Sequence, residues 1–173
     1  MSTQPVRAAL TLDELAATTR RFADEVAAGR HEVRADPSHR WHVRIHADEQ
    51  VDVWLISWTT EQGTQLHDHG GSAGAFTVVD GELTESVWAG TRAAGSLDEQ
   101  PREAGETVVF GTHYVHDVIN RAVGTAVSVH AYSPPLKVMH YYDVDGDRLV
   151  RRASSWTDDP EAPAPAREER AAS

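Results

Sequence analysis

The chain has 173 residues, a formal net charge of −11, no cysteine and 40% hydrophobic residues. That length suits one domain with a real core. The acidic balance excludes a basic nucleic-acid face and an anionic membrane surface as partners, and the missing thiols exclude disulfides and thiolate metal sites.

No run of 18 apolar residues and no charged-then-apolar leader is readable, so a cytoplasmic protein without a membrane span is expected. The N-terminal region predicts one amphipathic helix over 11–28. Leu12, Leu15, Ala16, Phe22, Ala23 and Val26 recur at mostly three- and four-residue steps. Thr11 followed by Glu14 is a capping-box signature, and Gly29 is placed to end the helix.

From residue 40 the pattern changes to short strands with turn punctuation. Strands at 40–47 and 50–59 form a hairpin around Asp48-Glu49, the second with two partly apolar faces. Strands at 75–79 and 82–88 flank Asp80-Gly81, a dipeptide favoured in tight turns. Further strands are expected at 107–110, 117–120, 126–132, 138–144 and 148–152, with Asp145-Gly146 as another turn. Many short strands and few helices mean an all-β barrel or sandwich. Residues 157–173 are rich in Pro, Ala and charge without apolar periodicity, and are expected to be a disordered tail outside a single domain of residues 1–156.

The chemistry concentrates in Leu66-His67-Asp68-His69-Gly70. Alternate side chains of a strand share a face, so His67 and His69 can aim into the interior together, while Asp68 points the other way and is expected to be structural or solvent-side. His-x-His alone is a weak signal, and an isolated pair is more often core or solvated. Here His116 offers a third imidazole at the start of a strand. The spacings of Gly63, His67, His69 and Gly81, then of Gly105, Gly111, His116 and Asn120, resemble the two motifs of the cupin superfamily. The first motif ordinarily has a glutamate five residues after the second histidine, and Gly74 stands there. The second ordinarily has proline and glycine where this chain has Gly111 and His113. Three neutral imidazoles leave a divalent ion its full charge and favour an anionic ligand such as a thiolate.

His67-Asp68-His69-Gly70-Gly71-Ser72, Gly81-x-Leu83-x-Glu85 and His130-Ala131-Tyr132-Ser133-Pro134-Pro135 together resemble bacterial cysteine dioxygenases, over roughly residues 40–147. The resemblance implies a cupin (double-stranded β-helix or jelly-roll) barrel with an N-terminal helix, and Fe(II) held by His67, His69 and His116. It implies an active-site tyrosine at Tyr132, with His130 and Ser128 completing a hydrogen-bonded relay. Strand alternation puts Ser128, His130 and Tyr132 on one face.

The resemblance also implies a guanidinium gripping the substrate carboxylate, matched by Arg44 with Arg40 as a rival. Mammalian members carry a cysteine crosslinked to that tyrosine; Gly74 stands in its place, so no thioether can form. Met139 and His140 are possible lining residues, with core packing favoured for Met139. The implied reaction converts L-cysteine and O2 to cysteine sulfinate. The alternatives are a dioxygenase for another small thiol such as 3-mercaptopropionate, another cupin reaction, and a non-catalytic metal-binding sensor module. A monomer or small homo-oligomer is expected.

Overall fold

A computed structural model describes residues 8–166. Helix α1 (Leu12–Ala27) is followed by eleven strands: β1 (Trp41–Ala47), β2 (Asp52–Trp58), β3 (His67–Asp68), β4 (Ala73–Asp80), β5 (Glu82–Gly90), β6 (Gly95–Glu103), β7 (Thr107–Phe110), β8 (His116–Ile119), β9 (Ala126–Ser133), β10 (Val138–Asp145) and β11 (Arg148–Trp156). They form two antiparallel sheets, ordered β1-β2-β9-β4-β7 and β11-β10-β3-β8-β5-β6. The arrangement is a jelly-roll sandwich. Among the described residues no ladder joins the two sheets into one closed barrel.

The helix begins where the capping box predicts. Thr11 Oγ1 accepts from the Glu14 amide at 3.2 Å, and the Glu14 carboxylate accepts from the Thr11 amide at 2.8 Å. The Thr11 amide and the Thr11 hydroxyl, both donating to the Glu14 carboxylate, hold that carboxyl below its ordinary value. Gly29 adopts φ +73° just past the end, the left-handed conformation that glycine tolerates best. Leu15, Phe22, Ala23 and Val26 pack on Val53, Leu55, Ala75, Val129 and Ala131 of the five-stranded sheet.

That packing explains the apolar character of both faces of β2, which is buried throughout. Val53 and Leu55 face the helix layer, whereas Trp54, Ile56 and Trp58 join Phe76, Val78, Leu83, Phe110, Val118, Met139 and Tyr141 in the other core cluster. Fully burying each large apolar side chain contributes about 1.5–3 kcal/mol, so these two layers dominate the stability.

The expected Asp80-Gly81 turn joins β4 to β5, with Gly81 at φ +75°. Two strands escape the sequence pattern. β6 is a largely exposed edge strand of sequence GSLDEQPRE, extended because it pairs along its whole length with β5. β3 has only two residues, held between β10 and β8.

The expectation of a disordered tail does not extend to residues 157–166. They have no regular secondary structure, but they lie against the sheets through ion pairs to β1 and the preceding residue Arg40. The remainder of that expected tail, 167–173, lies outside the described residues.

Candidate metal centre

The site forms where three strands converge. β3 pairs His67 with His116, the first residue of β8, and with Tyr141 of β10. His67, His69 and His116 are all buried, and each offers one nitrogen within 4.8 Å of the others'. His67 Nε2 and His69 Nε2 stand 3.2 Å apart.

Neighbouring groups set the tautomers. His67 Nδ1 lies 2.6 Å from the Gln65 carbonyl, which can only accept, so Nδ1 carries the proton and Nε2 presents its lone pair. His116 Nδ1 lies 2.8 Å from Glu85 Oε1, with the same consequence for its Nε2. Burial, and then the nearby His116, push the His67 pKa down to about 3; burial and the neighbouring histidines likewise hold His69 well below its ordinary value. His67 and His69 are therefore neutral at physiological pH, each able to offer a lone pair to a cation.

The residues fit a bound divalent cation. Two imidazole nitrogens, His67 Nε2 and His69 Nε2, face one another across 3.2 Å, an arrangement that a shared cation resolves. A ligand histidine whose other nitrogen donates to a carboxylate is the usual support for such a site. Glu85 fills that role from β5. Its side chain is fully buried and also accepts from Tyr114 Oη at 2.9 Å and Arg102 Nε at 2.8 Å. Burial pushes the Glu85 carboxyl up, but the bonds from His116 and Tyr114 and the Arg102 guanidinium outweigh it and keep it ionised.

Glu85 and Tyr114 are functional candidates that sequence reasoning passed over. The signal was a glutamate in the Gly81-x-Leu83-x-Glu85 run, on an otherwise apolar strand face.

Gly74 sits opposite Tyr132 in the β4–β9 register. A Cβ there would come within 2.5 Å of the Phe110 ring and 3.0 Å of the Ala131 carbonyl. Phe110 occupies that space, stacked on His69 with ring centroids 5.0 Å apart. The glutamate or cysteine that relatives place here would collide with this ring.

Tyr132 is buried with its ring centroid 4.7 Å from that of His69. Burial, and then the carboxylates of Glu161, Asp52 and Asp159, hold its phenol well above the ordinary value, so it stays protonated and able to donate. Ser128 Oγ and His130 Nε2 are 2.8 Å apart, and Trp58 Nε1 donates to Ser128 Oγ at 2.8 Å. Because Trp58 can only donate, Ser128 is free to donate to His130 Nε2, leaving Nδ1 as the protonated nitrogen. Burial drives the His130 pKa down to about 3. No hydrogen bond joins His130 to Tyr132 among the described residues, so only the Ser128–His130 half of the expected relay is formed.

A cavity of about 190 Å³ reaches the cluster at His67 and is lined by Arg40, Gln65, Met139, Tyr141 and Ala162 among others. Arg40 lies over the Trp58 ring and donates to the Gly63 carbonyl and the Glu161 carboxylate. Arg44 does not line this cavity. It lies 4.7 Å over the Trp54 ring and pairs with Asp158 at 2.9 Å. Met139 both packs in the core and lines the cavity, whereas His140 turns away to Ser154 at 2.7 Å. Asp68 is buried rather than solvent-facing; it accepts from Tyr142 Oη at 2.6 Å and the Gly70 amide at 2.8 Å, which shapes the turn after β3.

A jelly roll with three inward histidines backed by a buried carboxylate defines a metal-binding cupin. The chain matches the family model "Cysteine dioxygenase type I" over residues 6–145, and it belongs to that family. It is 26% identical over 102 residues to cysteine dioxygenase type 1 of Rattus norvegicus, an alignment covering 54% of this chain and 50% of that protein. The match thus spans about half the length of this curated relative. Among solved structures, a RmlC-like cupin protein from Desulfovibrio desulfuricans aligns with a TM-score of 0.50 at 20% identity, covering 61% of this chain and 92% of the other. An oxalate oxidase in complex with glycolate aligns with a TM-score of 0.53 at 15% identity, covering 65% and 60%. These likenesses establish the fold. No helix among the described residues is long and apolar enough to cross a membrane.

Proposed function

We propose that this protein is an iron(II)-dependent thiol dioxygenase of the cytoplasm that converts L-cysteine and O2 to cysteine sulfinate. The observation that carries the reading is the convergence of His67, His69 and His116 as three buried imidazoles with no carboxylate among them. Such a set leaves a bound divalent ion strongly attractive to an anionic thiolate. Iron(II) held there would supply the redox chemistry that joins dioxygen to sulfur. Both oxygen atoms of O2 end on the thiol sulfur, so no further reductant is required.

The chain's own residues then have separable tasks. Arg40, on the cavity wall beside His67, is better placed than Arg44 to grip the substrate carboxylate with paired hydrogen bonds. Tyr132 orients substrate through a protonated hydroxyl. Trp58, Ser128 and His130 form a hydrogen-bonded chain that fixes the His130 ring on the same strand face. Phe110, Phe76 and Met139 keep water from the reacting sulfur.

The test is oxygen uptake by iron(II)-loaded protein offered L-cysteine or 3-mercaptopropionate, with products identified by mass. A cysteine product heavier by two oxygens supports the proposal. Turnover of 3-mercaptopropionate alone moves the substrate and keeps the chemistry. No uptake with either thiol, in protein shown to hold iron, overturns the reading in favour of a different cupin reaction or a non-catalytic binding module.

A further inference from the structure

The cavity beside His67 is closed on one side by residues 157–166. This segment is fastened at both ends, by the Thr157 amide on the Lys137 carbonyl at 3.0 Å and by Arg152 Nη1 on the Pro165 carbonyl at 2.7 Å. Between them, the Asp159 amide donates to Thr157 Oγ1 and the Glu161 amide to Asp159 Oδ1, at 3.0 and 2.8 Å. The resulting turns present three carboxylates in order. Asp158, Asp159 and Glu161 meet Arg44, His42 and Arg40.

The outer carboxylate, Asp158, is 73% exposed, while the Glu161 side chain is only 4% exposed. Glu161 is therefore a buried carboxylate on the one guanidinium that lines the cavity. Arg40 directly precedes β1 and is fixed by Trp58 and the Gly63 carbonyl, whereas Glu161 rides on a ten-residue segment, 157–166, without regular structure.

We infer that Glu161 is an internal stand-in for the substrate carboxylate: a carboxylate-bearing thiol exchanges for it on Arg40, and residues 157–166 lift from the cavity as it does so. The inference rests on the thiol-substrate reading above and names the residue that gates it. Arg40 is half-buried, with its side chain 21% exposed, so losing its carboxylate without replacement is disfavoured. Exchange avoids that loss, because one carboxylate replaces another while Glu161 passes into water. A thiol without a carboxylate has nothing to offer Arg40 and leaves the segment in place.

The experiment is hydrogen exchange of residues 157–166 in full-length, iron(II)-loaded protein without oxygen, with L-cysteine, 3-mercaptopropionate or cysteamine. The two carboxylate thiols should speed exchange, and cysteamine should not. Glu161→Gln should speed exchange without any ligand and lower KM for L-cysteine by about tenfold, the scale of one charge-assisted hydrogen bond, leaving cysteamine unchanged. The double variant Asp158→Asn, Asp159→Asn loosens the rim without touching Arg40 and should act in the same direction.

Exchange unaltered or slowed by the carboxylate thiols would overturn the inference. So would a raised KM for L-cysteine in Glu161→Gln, or a preference for cysteamine, which would make Glu161 a fixed recognition site for the amine. Exchange needs no turnover, so the two readings fail separately. Loosening by carboxylate thiols without oxidation sinks the dioxygenase alone. Oxidation of cysteine with unaltered exchange sinks the gate alone.

Discussion

His116 and Glu85 lie 31 residues apart in the chain, yet the Nδ1 of one donates to the Oε1 of the other at 2.8 Å in a fully buried pair. The carboxylate fixes which imidazole nitrogen faces the metal cluster. Glu85→Gln keeps the shape but offers a weaker, neutral acceptor. Metal affinity should fall by about 10–100-fold, with the fold retained. Metal titration followed by circular dichroism checks it; unchanged affinity would remove Glu85 from the site.

Arg40 and Arg44 share a chain face four residues apart, but only Arg40 lines the cavity. Arg40→Gln should raise KM for L-cysteine by at least about tenfold, the loss expected for a charge-assisted bond to substrate. Arg44→Gln should change KM by less than about twofold, because exposed ion pairs are worth about 0–1 kcal/mol. Steady-state kinetics decide. The reverse ranking would restore Arg44 as the clamp.

His130 is buried and neutral, with its pKa lowered from 6.5 to about 3. The unfolded chain takes up a proton near 6.5 that the folded chain refuses until about 3. This histidine therefore contributes stability that is fully present above 6.5 and lost progressively as pH falls toward 3. Metal-free protein should melt at steadily lower temperature across that window, and His130→Gln should show a shallower slope between pH 7 and 5. Parallel slopes would contradict the assignment.

Gly74→Ala places a methyl 2.5 Å from the Phe110 ring, which is itself stacked between His69 and Tyr114. Overpacking of this kind costs about 1–3 kcal/mol. Urea denaturation should show that loss, and Phe110→Leu combined with Gly74→Ala should recover part of it. Additive losses would mean the two positions do not compete for space.

Much of this was legible beforehand. The Thr11/Glu14 capping box, the Asp80-Gly81 turn and the two-faced burial of β2 are local patterns that tertiary packing respects. The spacing of His67 and His69 together with His116 marked the three histidines that the fold brings together, because alternation along an extended chain is enough to aim two rings one way.

What local pattern could not show depends on register. Glu85 reaches His116 only through the pairing of β5 with β8. β6 lacks strand propensity and is extended because β5 templates it. The acidic, proline-rich stretch after Trp156 looks like solvated tail by composition, since nothing in its own sequence reveals Arg40, His42 and Arg44 waiting more than 110 residues upstream.

Among the described residues, the two residues of β3 form the one strand ladder between the β10–β11 hairpin and the β5–β6–β8 half of the six-stranded sheet. The seam that joins the halves is the strand that carries His67, and backbone bonds from the Gly95 amide to the Asp147 carbonyl and from the Leu149 amide to the Arg92 carbonyl tie the hairpin tips beside it. A cation shared by His67 on β3 and His116 on β8 would rivet one ladder of that seam. Parting of β3 from β8 and release of the cation then become linked equilibria, in which each must resist the other. Metal supply would thereby bear on how firmly β3 holds the β10–β11 hairpin, whose strands carry none of the three histidines.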